Sequence, residues 1–461
     1  MEKILILGGG PAGCVSALHL TRLGYHVDLV TEERSAEFVE GLSARVVEGL
    51  TSAGCERAVD YLQAPVPRIS SWNGATSAAN TEQILNRKDF DAALLADARA
   101  AGVSITIGQA QEVQAGPNGC RVQVVTSSGA RRAMHGRYLL EARGRRAPRA
   151  RAVAMRGQPG FALSRRFENC PDLPSGTWVA SFPEGWAWFA GTDRAAGTLQ
   201  IVVDGTQGSL APLPKLADMF SGLVGQIPEV RPCLGDNARA VGPIIVRECT
   251  PFLHSEPIID GVVRVGDASF GADNLSGHGI FEAVGAGMAI APVLNTILQR
   301  PQDTALAQGF YETRARNAFL GHARVGRDFY RSEERWSDRP FWRNRCSWPD
   351  DEPAHPMPSN DVPRVQILPV IENDFIERRE VVITANQARG VRFVDGTPLV
   401  PLIDLIGELG RLPDNEAAGR HLGRRLDDCT IALDWLRAQN ILGPEGLTVS
   451  ASQLRDNGSF H

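Results

Sequence analysis

The residues best suited to chemistry form a glycine-rich turn close to the N-terminus. It reads Gly8-Gly9-Gly10-Pro11-Ala12-Gly13 and follows the apolar run Ile4–Leu7. Glycines at this spacing let backbone N–H groups approach a pyrophosphate, and a helix predicted over Cys14–Leu23 would direct its positive end at that phosphate. A second strand is predicted over His26–Val30. This order of elements predicts a dinucleotide site, and a tight turn without a ligand is the alternative.

An acidic side chain is expected at the end of the second strand. In dinucleotide-binding folds it lies about 20 residues after the turn and accepts hydrogen bonds from ribose hydroxyls. By spacing this position falls on Thr31, with Glu32 next. We predict that Glu32 is the ribose ligand.

A second candidate segment lies far downstream. The apolar run Val262–Val265 ends in Gly266-Asp267, and Gly277-His278-Gly279-Ile280 precedes an apolar helix predicted over Phe281–Leu298. The Asp267 carboxylate can accept a hydrogen bond from a ribitol or ribose hydroxyl. The glycines let a backbone turn lie against a flat ring, where the helix dipole would stabilise negative charge on a reduced flavin. His278 is the candidate for acid–base assistance, and a loop histidine with satisfied hydrogen bonds is the alternative.

Length and composition limit the possible classes of protein. The chain has 461 residues, 43% hydrophobic and 22% charged residues and a net charge of −5, which predicts two or three domains and argues against nucleic acid as a partner. Its eight cysteines include no C-x-x-C pair, so neither a disulfide framework nor a zinc site is indicated. We find no signal peptide and no long apolar span, so we expect a cytoplasmic protein without a membrane partner.

The pattern of segments predicts an α/β protein with a Rossmann-like dinucleotide-binding domain. That domain would comprise residues 1–160 and 243–330, interrupted by an inserted antiparallel sheet over 161–242. Residues 331–370 are rich in proline and tryptophan, and this composition predicts an irregular linker. Residues 371–461 predict a separate small α/β domain of the winged-helix size class.

Several segments together resemble FAD-dependent monooxygenases of the aromatic hydroxylase type, a superfamily that includes the flavin halogenases. Gly8-x-Gly10-x-x-Gly13 matches the FAD fingerprint, and Gly266-Asp267 with Gly277-His278-Gly279 matches the motif for the ribityl chain and the isoalloxazine ring. Arg45 lies in a segment similar to the family's Ser-Pro-Arg-Thr motif, with Ala44 in place of proline. Arg87 begins a segment similar to the arginine helix that crosses the FAD.

Two departures from the family pattern narrow the activity. Gly185-Trp186-Ala187-Trp188-Phe189 is similar to a halogenase motif, but Ala190-Gly191 follows where halogenases have Ile-Pro. Residues 32–87 lack the lysine that halogenases place near the flavin, so hydroxylation is favoured. Trp186 and Trp188 are candidate substrate contacts, and packing between domains is their alternative role.

The resemblance implies that reduced FAD reacts with oxygen to form a flavin hydroperoxide, which hydroxylates an electron-rich ring. The electrons would come from NADH, NADPH or a partner reductase. The C-terminal segment looks like a peptide-recognition domain, with a stabilising appendage or a dimer contact as the alternative. We therefore expect a peptide or small-protein substrate whose tryptophan is modified, as in the monooxygenases that mature the cofactor of quinohemoprotein amine dehydrogenase. The inserted sheet would form one wall of the site and the C-terminal domain would hold the polypeptide. A flavin reductase or saturase of the geranylgeranyl-reductase type and a flavin halogenase are the alternatives.

Overall fold

The computed structural model describes residues 2–34, 37–148, 152–171, 176–192, 195–206, 210, 212, 215–355, 364–384, 387–423, 429–439, 442–443 and 446–447. The chain divides into two compact units. Unit 1 comprises residues 1–301 and 311–352, and unit 2 comprises residues 302–310 and 353–461.

Unit 1 is an α/β structure, as the sequence predicts. Its strands, in chain order, are β1 (Lys3–Leu7), β2 (His26–Thr31), β3 (Val39–Leu42), β4 (Val66–Trp72), β5 (Ala75–Asn86), β6 (Ser104–Gly116), β7 (Gly119–Thr126), β8 (Arg131–Gly136), β9 (Tyr138–Glu141), β10 (Val153–Arg156), β11 (Gly160–Glu168), β12 (Gly176–Phe182), β13 (Gly185–Thr192), β14 (Ala196–Asp204), β15 (Arg239–Glu248), β16 (Phe252–His254), β17 (Ile258–Ile259), β18 (Val262–Arg264) and β19 (Phe270–Gly271). Its helices are α1 (Pro11–Arg22), α2 (Ala44–Ala53), α3 (Glu56–Asp60), α4 (Arg87–Ala100), α5 (Leu216–Val224), α6 (Arg231–Leu234), α7 (Gly279–Gln299), α8 (Thr304–Arg331), which begins in unit 2, and α9 (Pro340–Arg343).

The first large sheet carries both glycine-rich turns. Its strand order is β17-β18-β9-β1-β2-β6-β7-β8, and β18, β9, β1, β2 and β6 run parallel. Each residue of Ile4–Leu7 is fully buried, because β1 lies between parallel neighbours with both faces covered. The carboxyl ends of β1, β2, β9 and β18 therefore meet at one edge of the sheet.

Helices α1 and α7 pack closely behind this edge. A Cβ added at Gly287 of α7 would lie 2.9 Å from the Val15 Cβ and 3.0 Å from the Ala12 carbonyl oxygen of α1, so only glycine allows this approach. Helix α7 is also long and apolar enough to cross a membrane, and 78% of its apolar window is buried inside the protein. Our expectation of no long apolar span was wrong at this helix, whose apolar residues serve as core.

The second large sheet extends beyond the predicted insertion. Its order is β15-β11-β14-β13-β12-β4-β5-β3, so three of its strands come from residues before the insertion. Strand β4 joins it by parallel pairing with β12, and the other neighbours with a described register pair antiparallel. A sheet edge offers unpaired backbone groups to any nearby strand, so the order of strands in the chain does not determine which strands belong to one sheet.

Strand β13 presents its two faces to two different cores. Ala187 and Phe189 pack with α5 residues such as Phe220 in one core. The alternate residues Trp186 and Trp188 face the opposite side. There they join a group that we call the aromatic cluster, which comprises Trp72, Trp186, Trp188, Tyr330, Trp336, Phe341 and Trp342.

Part of the segment expected to be an irregular linker is ordered structure. It contains α9, whose Phe341 and Trp342 are buried, and Trp342 Nε1 donates a hydrogen bond to the Phe182 carbonyl oxygen at 3.1 Å. Its last residues belong to a strand that begins at Arg364. Residues 356–363, between these two parts, lie outside the described residues.

Unit 2 is a small α/β structure that begins before residue 371. Its strands are β20 (Arg364–Glu372), β21 (Phe375–Thr384), β22 (Gln387–Val391), β23 (Phe393–Val394), β24 (Thr397–Pro398), β25 (Leu442–Gly443) and β26 (Gly446–Leu447), and its further helices are α10 (Leu399–Leu409), α11 (Asn415–Leu422) and α12 (Thr430–Ala438). The three helices pack on Val365 and Val382 of β20 and β21. The predicted turn at Asp395–Gly396 joins β23 to β24, and both residues have positive φ, as a type I′ turn requires.

Candidate active site

In the first glycine turn, some glycines pack tightly against the protein and one borders open space. Gly8 has a φ of 113°, and a Cβ there would lie 2.3 Å from the Ala142 carbonyl oxygen. A Cβ at Gly13 would lie 1.9 Å from the Gly8 carbonyl oxygen. At Gly10, by contrast, the nearest atom to an added Cβ is Nη2 of Arg87, at 3.9 Å. The protein excludes side chains at Gly8 and Gly13, whereas Gly10 borders space that a ligand can approach.

The N-terminus of α1 opens on the same space. Gly10 is its N-cap, no side chain caps the helix, and Pro11 occupies the first turn, with Ala12 next along the chain. The first N–H groups of a helix have no partner within the helix and attract anions. The structure therefore provides the anion-directed helix end that the sequence predicted.

The end of β2 supports this turn from the neighbouring strand. The Gly9 N–H donates a hydrogen bond to Thr31 Oγ1 at 3.0 Å. Glu32 follows β2 with its side chain exposed at the same sheet edge. The hydroxyl of Thr31 thus serves the turn, and Glu32 remains the predicted ribose ligand.

Arg87 lies at the glycine turn and belongs to an ion-pair network. Its guanidinium donates to Glu40 at 2.8 Å and to Asp91 at 3.0 Å, and Arg34 also donates to Asp91 at 2.7 Å. Burial opposes the charge of Arg87, but Glu40 and Asp91 outweigh it and raise its pKa. The network fixes a permanent positive charge beside Gly10.

A surplus of arginine surrounds this network. The guanidinium of Arg247 lies 3.8 Å from the centre of the Phe38 ring. Burial lowers the pKa of Arg247, and Arg34, Arg87 and Arg146 lower it further, whereas Glu40 opposes them. Such an excess of positive charge suits an anionic ligand such as a pyrophosphate.

The second candidate segment places Asp267 at the same sheet edge. Gly266 has a φ of 60°, and a Cβ there would lie 2.8 Å from the Ala12 Cβ. Asp267 Oδ2 lies 3.5 Å from Arg145 Nε. Burial raises the pKa of Asp267, and Arg145 opposes that rise. Its side chain is nevertheless 40% exposed, so part of the carboxylate is accessible to a ligand.

The loop before α7 is open in the same way. Gly277 has a φ of 65°, and an added Cβ at Gly277 or Gly279 would meet no atom within 4 Å. Ile280 anchors the loop, since its side chain is buried. His278 is the N-cap residue of α7, and no side chain caps this helix. Backbone N–H groups at this helix end are therefore available to a ligand.

His278 is partly buried in a group of charged and aromatic side chains. Its ring stacks on His322 with a centroid distance of 4.8 Å and meets Phe281 edge-on at 5.9 Å. Burial lowers the pKa of His278, and the neighbouring His322 and Arg45 lower it further, against an opposing contribution from Glu282. The lowered pKa of His278 favours the uncharged imidazole.

Arg45 lies on the first turn of α2 with its side chain exposed. Its positive charge lowers the pKa of His278. Helix α2 contacts α7, since a Cβ at Gly49 would lie 3.3 Å from a methyl group of Val284. The structure thus brings Arg45 and His278 together, although they are 233 positions apart in the chain.

The two tryptophans lie in the aromatic cluster. Trp186 is 3% exposed and packs with Tyr330 and Trp342, while Trp188 is half-buried. The burial of Trp186 favours its alternative role, which is packing. Trp188 keeps an accessible part and stays a candidate substrate contact.

Three residues that the sequence analysis did not single out contribute to the site: Arg145, Glu282 and His322. Arg145 pairs with Asp267 and also donates to the carbonyl oxygens of Thr250 and Ala272, so it ties both halves of the second motif together. Glu282 and His322 support His278. Arg145 directly follows Gly144 in the chain. Nothing in the spacing of His322 indicates its position, because α8 and the α7 loop meet only in the folded protein.

The arrangement fits a flavin dinucleotide. Two uncapped helix ends, three glycines that border open space, the Asp267 carboxylate and the arginine surplus match its pyrophosphate, its hydroxyl groups and the electron-rich edge of its ring. Among the described residues, no group of three His, Cys, Asp or Glu side chains could hold a metal ion.

Comparisons with known proteins agree with this fit. A family model described as an FAD binding domain matches residues 1–198. Among solved structures, the peptidyl tryptophan dihydroxylase QhpG, essential for tryptophylquinone cofactor biogenesis, has a TM-score of 0.77 and 33% identity and covers 95% of this chain and 98% of its own. The flavin-dependent halogenase CmlS has a TM-score of 0.73 and 17% identity and covers 100% of this chain and 98% of its own. A digeranylgeranylglycerophospholipid reductase of Methanosphaerula palustris is 24% identical over 351 residues, which are 69% of this chain and 83% of that protein.

Proposed function

The chain belongs to the family of FAD-dependent monooxygenases that contains the peptidyl tryptophan dihydroxylase QhpG, and we propose that it hydroxylates a tryptophan side chain within a peptide or small protein. The observation that carries the proposal is the similarity to QhpG, at 33% identity over 95% of this chain. The lower identity to halogenases supports a shared fold only.

Different residues of unit 1 would bind different parts of the cofactor. The turn at Gly10 and the N-terminus of α1 would hold the pyrophosphate with Arg87, Glu32 would hold the ribose, and Asp267 would hold a hydroxyl of the ribityl chain. When FAD is bound, it supplies the activation of oxygen. The N-terminus of α7, with Gly277 and Gly279, stabilises negative charge at the edge of the flavin ring. The aromatic cluster, which includes Trp188, would exclude water.

The positions of the lysines favour hydroxylation over halogenation, because none lies where the halogenases have theirs. Its lysines are Lys3, Lys88 and Lys215. Lys3 pairs with Asp28 at 2.6 Å, and Lys88 is exposed on the first turn of α4. The resemblance to halogenases implies a lysine near the flavin, between the first and third FAD segments, and residues 32–87 contain none.

The curated relative from Methanosphaerula palustris favours a second candidate, a flavin-dependent reductase of prenyl chains. That activity adds hydrogen to a double bond, whereas hydroxylation inserts oxygen. The two reactions differ in whether oxygen appears in the product.

Labelled oxygen separates these activities. The FAD-loaded protein is incubated under ¹⁸O₂ with NADH, NADPH or a flavin reductase, with chloride and bromide present, and with a tryptophan-containing peptide or digeranylgeranylglycerophospholipid. We expect one or two ¹⁸O atoms in the peptide by mass spectrometry, no halogenated product and no saturated lipid. Halogenated peptide or saturated lipid without labelled peptide would overturn the proposal.

A further inference from the structure

The best-defined polar group outside the cofactor contacts lies behind His278. His322 of α8 stacks on the His278 ring, and its Nε2 lies 2.8 Å from Glu282 Oε1. The second oxygen of Glu282 accepts a hydrogen bond from Arg314 Nη2 at 3.4 Å. The Glu282 and His322 side chains are only 11% and 14% exposed, so this ion pair is shielded from solvent.

The two rings cannot readily carry charge at the same time. Two imidazolium rings stacked at 4.8 Å would repel each other strongly in a shielded site. The Glu282 carboxylate contacts Nε2 of the His322 ring directly, so its negative charge lies beside His322. His278 instead lies at the positive end of α7, which disfavours a cation there.

The remaining charged neighbours of His278 do not reverse this preference. Arg45 of α2 is positive and disfavours a second cation, while Glu282 favours one but already binds His322 and Arg314. His278 Nδ1 is buried, and we therefore take Nε2 as the nitrogen that exchanges a proton.

We propose that His322 and Glu282 are positioning residues that hold a proton on their own pair and keep His278 as an uncharged proton acceptor at the flavin loop. This inference rests on the proposed hydroxylation. In that reaction a ring carbon forms a bond to one atom of O₂ and loses its hydrogen as a proton, while the second oxygen atom leaves as water and NADH, NADPH or a reductase supplies two electrons. The released proton goes to His278 Nε2 and then to solvent, because the neighbouring pair destabilises the imidazolium.

Two substitutions test the pair without removing His278. His322→Phe keeps the stacking and loses the charge, and His322→Gln keeps a donor toward Glu282 and loses the charge. Phe281→Leu is the control, since it removes the edge-on ring contact with His278 and changes no charge. The FAD-loaded proteins carry ¹³C-labelled histidine, and the His278 signal among the nine histidines is assigned from its absence in His278→Asn.

NMR titration gives a readout that does not depend on activity. We expect His278 to titrate below its ordinary pKa in the unmodified protein, to shift upwards in both His322 variants and to stay in place in Phe281→Leu. The acid limb of the pH profile for single-turnover hydroxylation should shift upwards in the same two variants. A His278 midpoint that neither His322 variant moves would overturn the inference, as would a shifted midpoint with an unshifted acid limb. Absence of any hydroxylation in the unmodified protein would overturn the proposed function, whatever the titration shows.

Discussion

At the scale of single residues, the glycines of the two nucleotide-directed turns serve two purposes. Gly8 and Gly13 allow the chain to pack against itself, since a Cβ at either position would overlap a carbonyl oxygen. Gly10 and Gly277 border open space, so the protein itself does not exclude a side chain there by contact. We therefore expect substitutions at Gly8 and Gly13 to impair folding, and substitutions at Gly10 and Gly277 to impair ligand binding.

Gly10→Ala should separate these purposes. Gly10 has a φ of −82°, which any residue adopts, so we expect the melting temperature of the apoprotein to stay nearly unchanged. FAD affinity should fall, because the methyl group occupies the approach of the pyrophosphate. Gly222→Ala, where an added Cβ meets no atom within 4 Å, is the matched control and should keep FAD affinity. Fluorescence titration with FAD measures both, and equal affinities would contradict the assignment of Gly10.

Asp267→Ala tests the ribityl contact. Losing a charged acceptor of hydrogen bonds should cost on the order of 1.5–3 kcal/mol, which is roughly a 10- to 150-fold weaker FAD affinity. The exposed Asp236→Ala is the control and should bind FAD normally. Equilibrium dialysis gives the two dissociation constants. Affinity for FAD within about twofold of the unmodified protein would show that Asp267 does not touch the cofactor.

At the scale of elements, α9 anchors the segment after α8 on the second sheet. Trp342 is fully buried, contacts Trp72 edge-on at a centroid distance of 5.4 Å and donates to Phe182. One helical turn has little stability of its own, so α9 depends on these contacts. The segment is therefore part of the packing of unit 1.

Trp342→Ala should destabilise unit 1. Truncation of a buried aromatic residue costs about 3–5 kcal/mol, and the buried Phe182 carbonyl would also lose its donor. Phe329→Ala, at a site that is 51% exposed, is the control and should change stability by less than about 0.5 kcal/mol. Urea unfolding followed by tryptophan fluorescence and circular dichroism measures both variants. Similar midpoints for the two would show that α9 is not anchored as described.

At the scale of the whole molecule, the cofactor residues and unit 2 are separate in the chain. All predicted FAD contacts, from Gly8 to Ile280, belong to unit 1. Unit 2 has its own core of twelve fully or nearly buried residues and exposes Ile367 and Ile371 on the outer strand β20. An exposed strand edge with apolar side chains is a surface on which an extended peptide can add as a strand.

Deleting residues 353–461 tests whether unit 2 recognises the substrate. We expect FAD binding to persist and turnover of the tryptophan peptide to be lost, while free tryptophan or indole is turned over at the unmodified rate. Remote binding energy orients a ring that offers few polar groups, so its loss affects only the peptide. Flavin absorbance gives the loaded fraction, and mass spectrometry gives the product. Peptide turnover at the full rate would make unit 2 an appendage.

Local sequence patterns were enough to predict the residues that would bind the cofactor. Two segments carried this prediction: the buried run Ile4–Leu7 with the glycine turn, and the Gly266-Asp267 segment. In each, an apolar strand is followed by glycines that allow a tight turn, or by a carboxylate that can bind a hydroxyl group. The predicted resemblance to aromatic hydroxylases and halogenases is confirmed by the comparisons. Short-range patterns suffice here because each turn and its flanking strand and helix are contiguous in the chain.

Only the tertiary structure decided which distant segments meet. β4 pairs with β12 across more than a hundred residues, Trp342 packs under β12, and His322 reaches the α7 loop from the far part of α8. No periodicity marks these partners, because strand pairing and side-chain packing depend on surfaces that exist only after folding. For the same reason, burial of Trp186 and the pairing of His322 with Glu282 follow from the fold and not from their spacing in the chain.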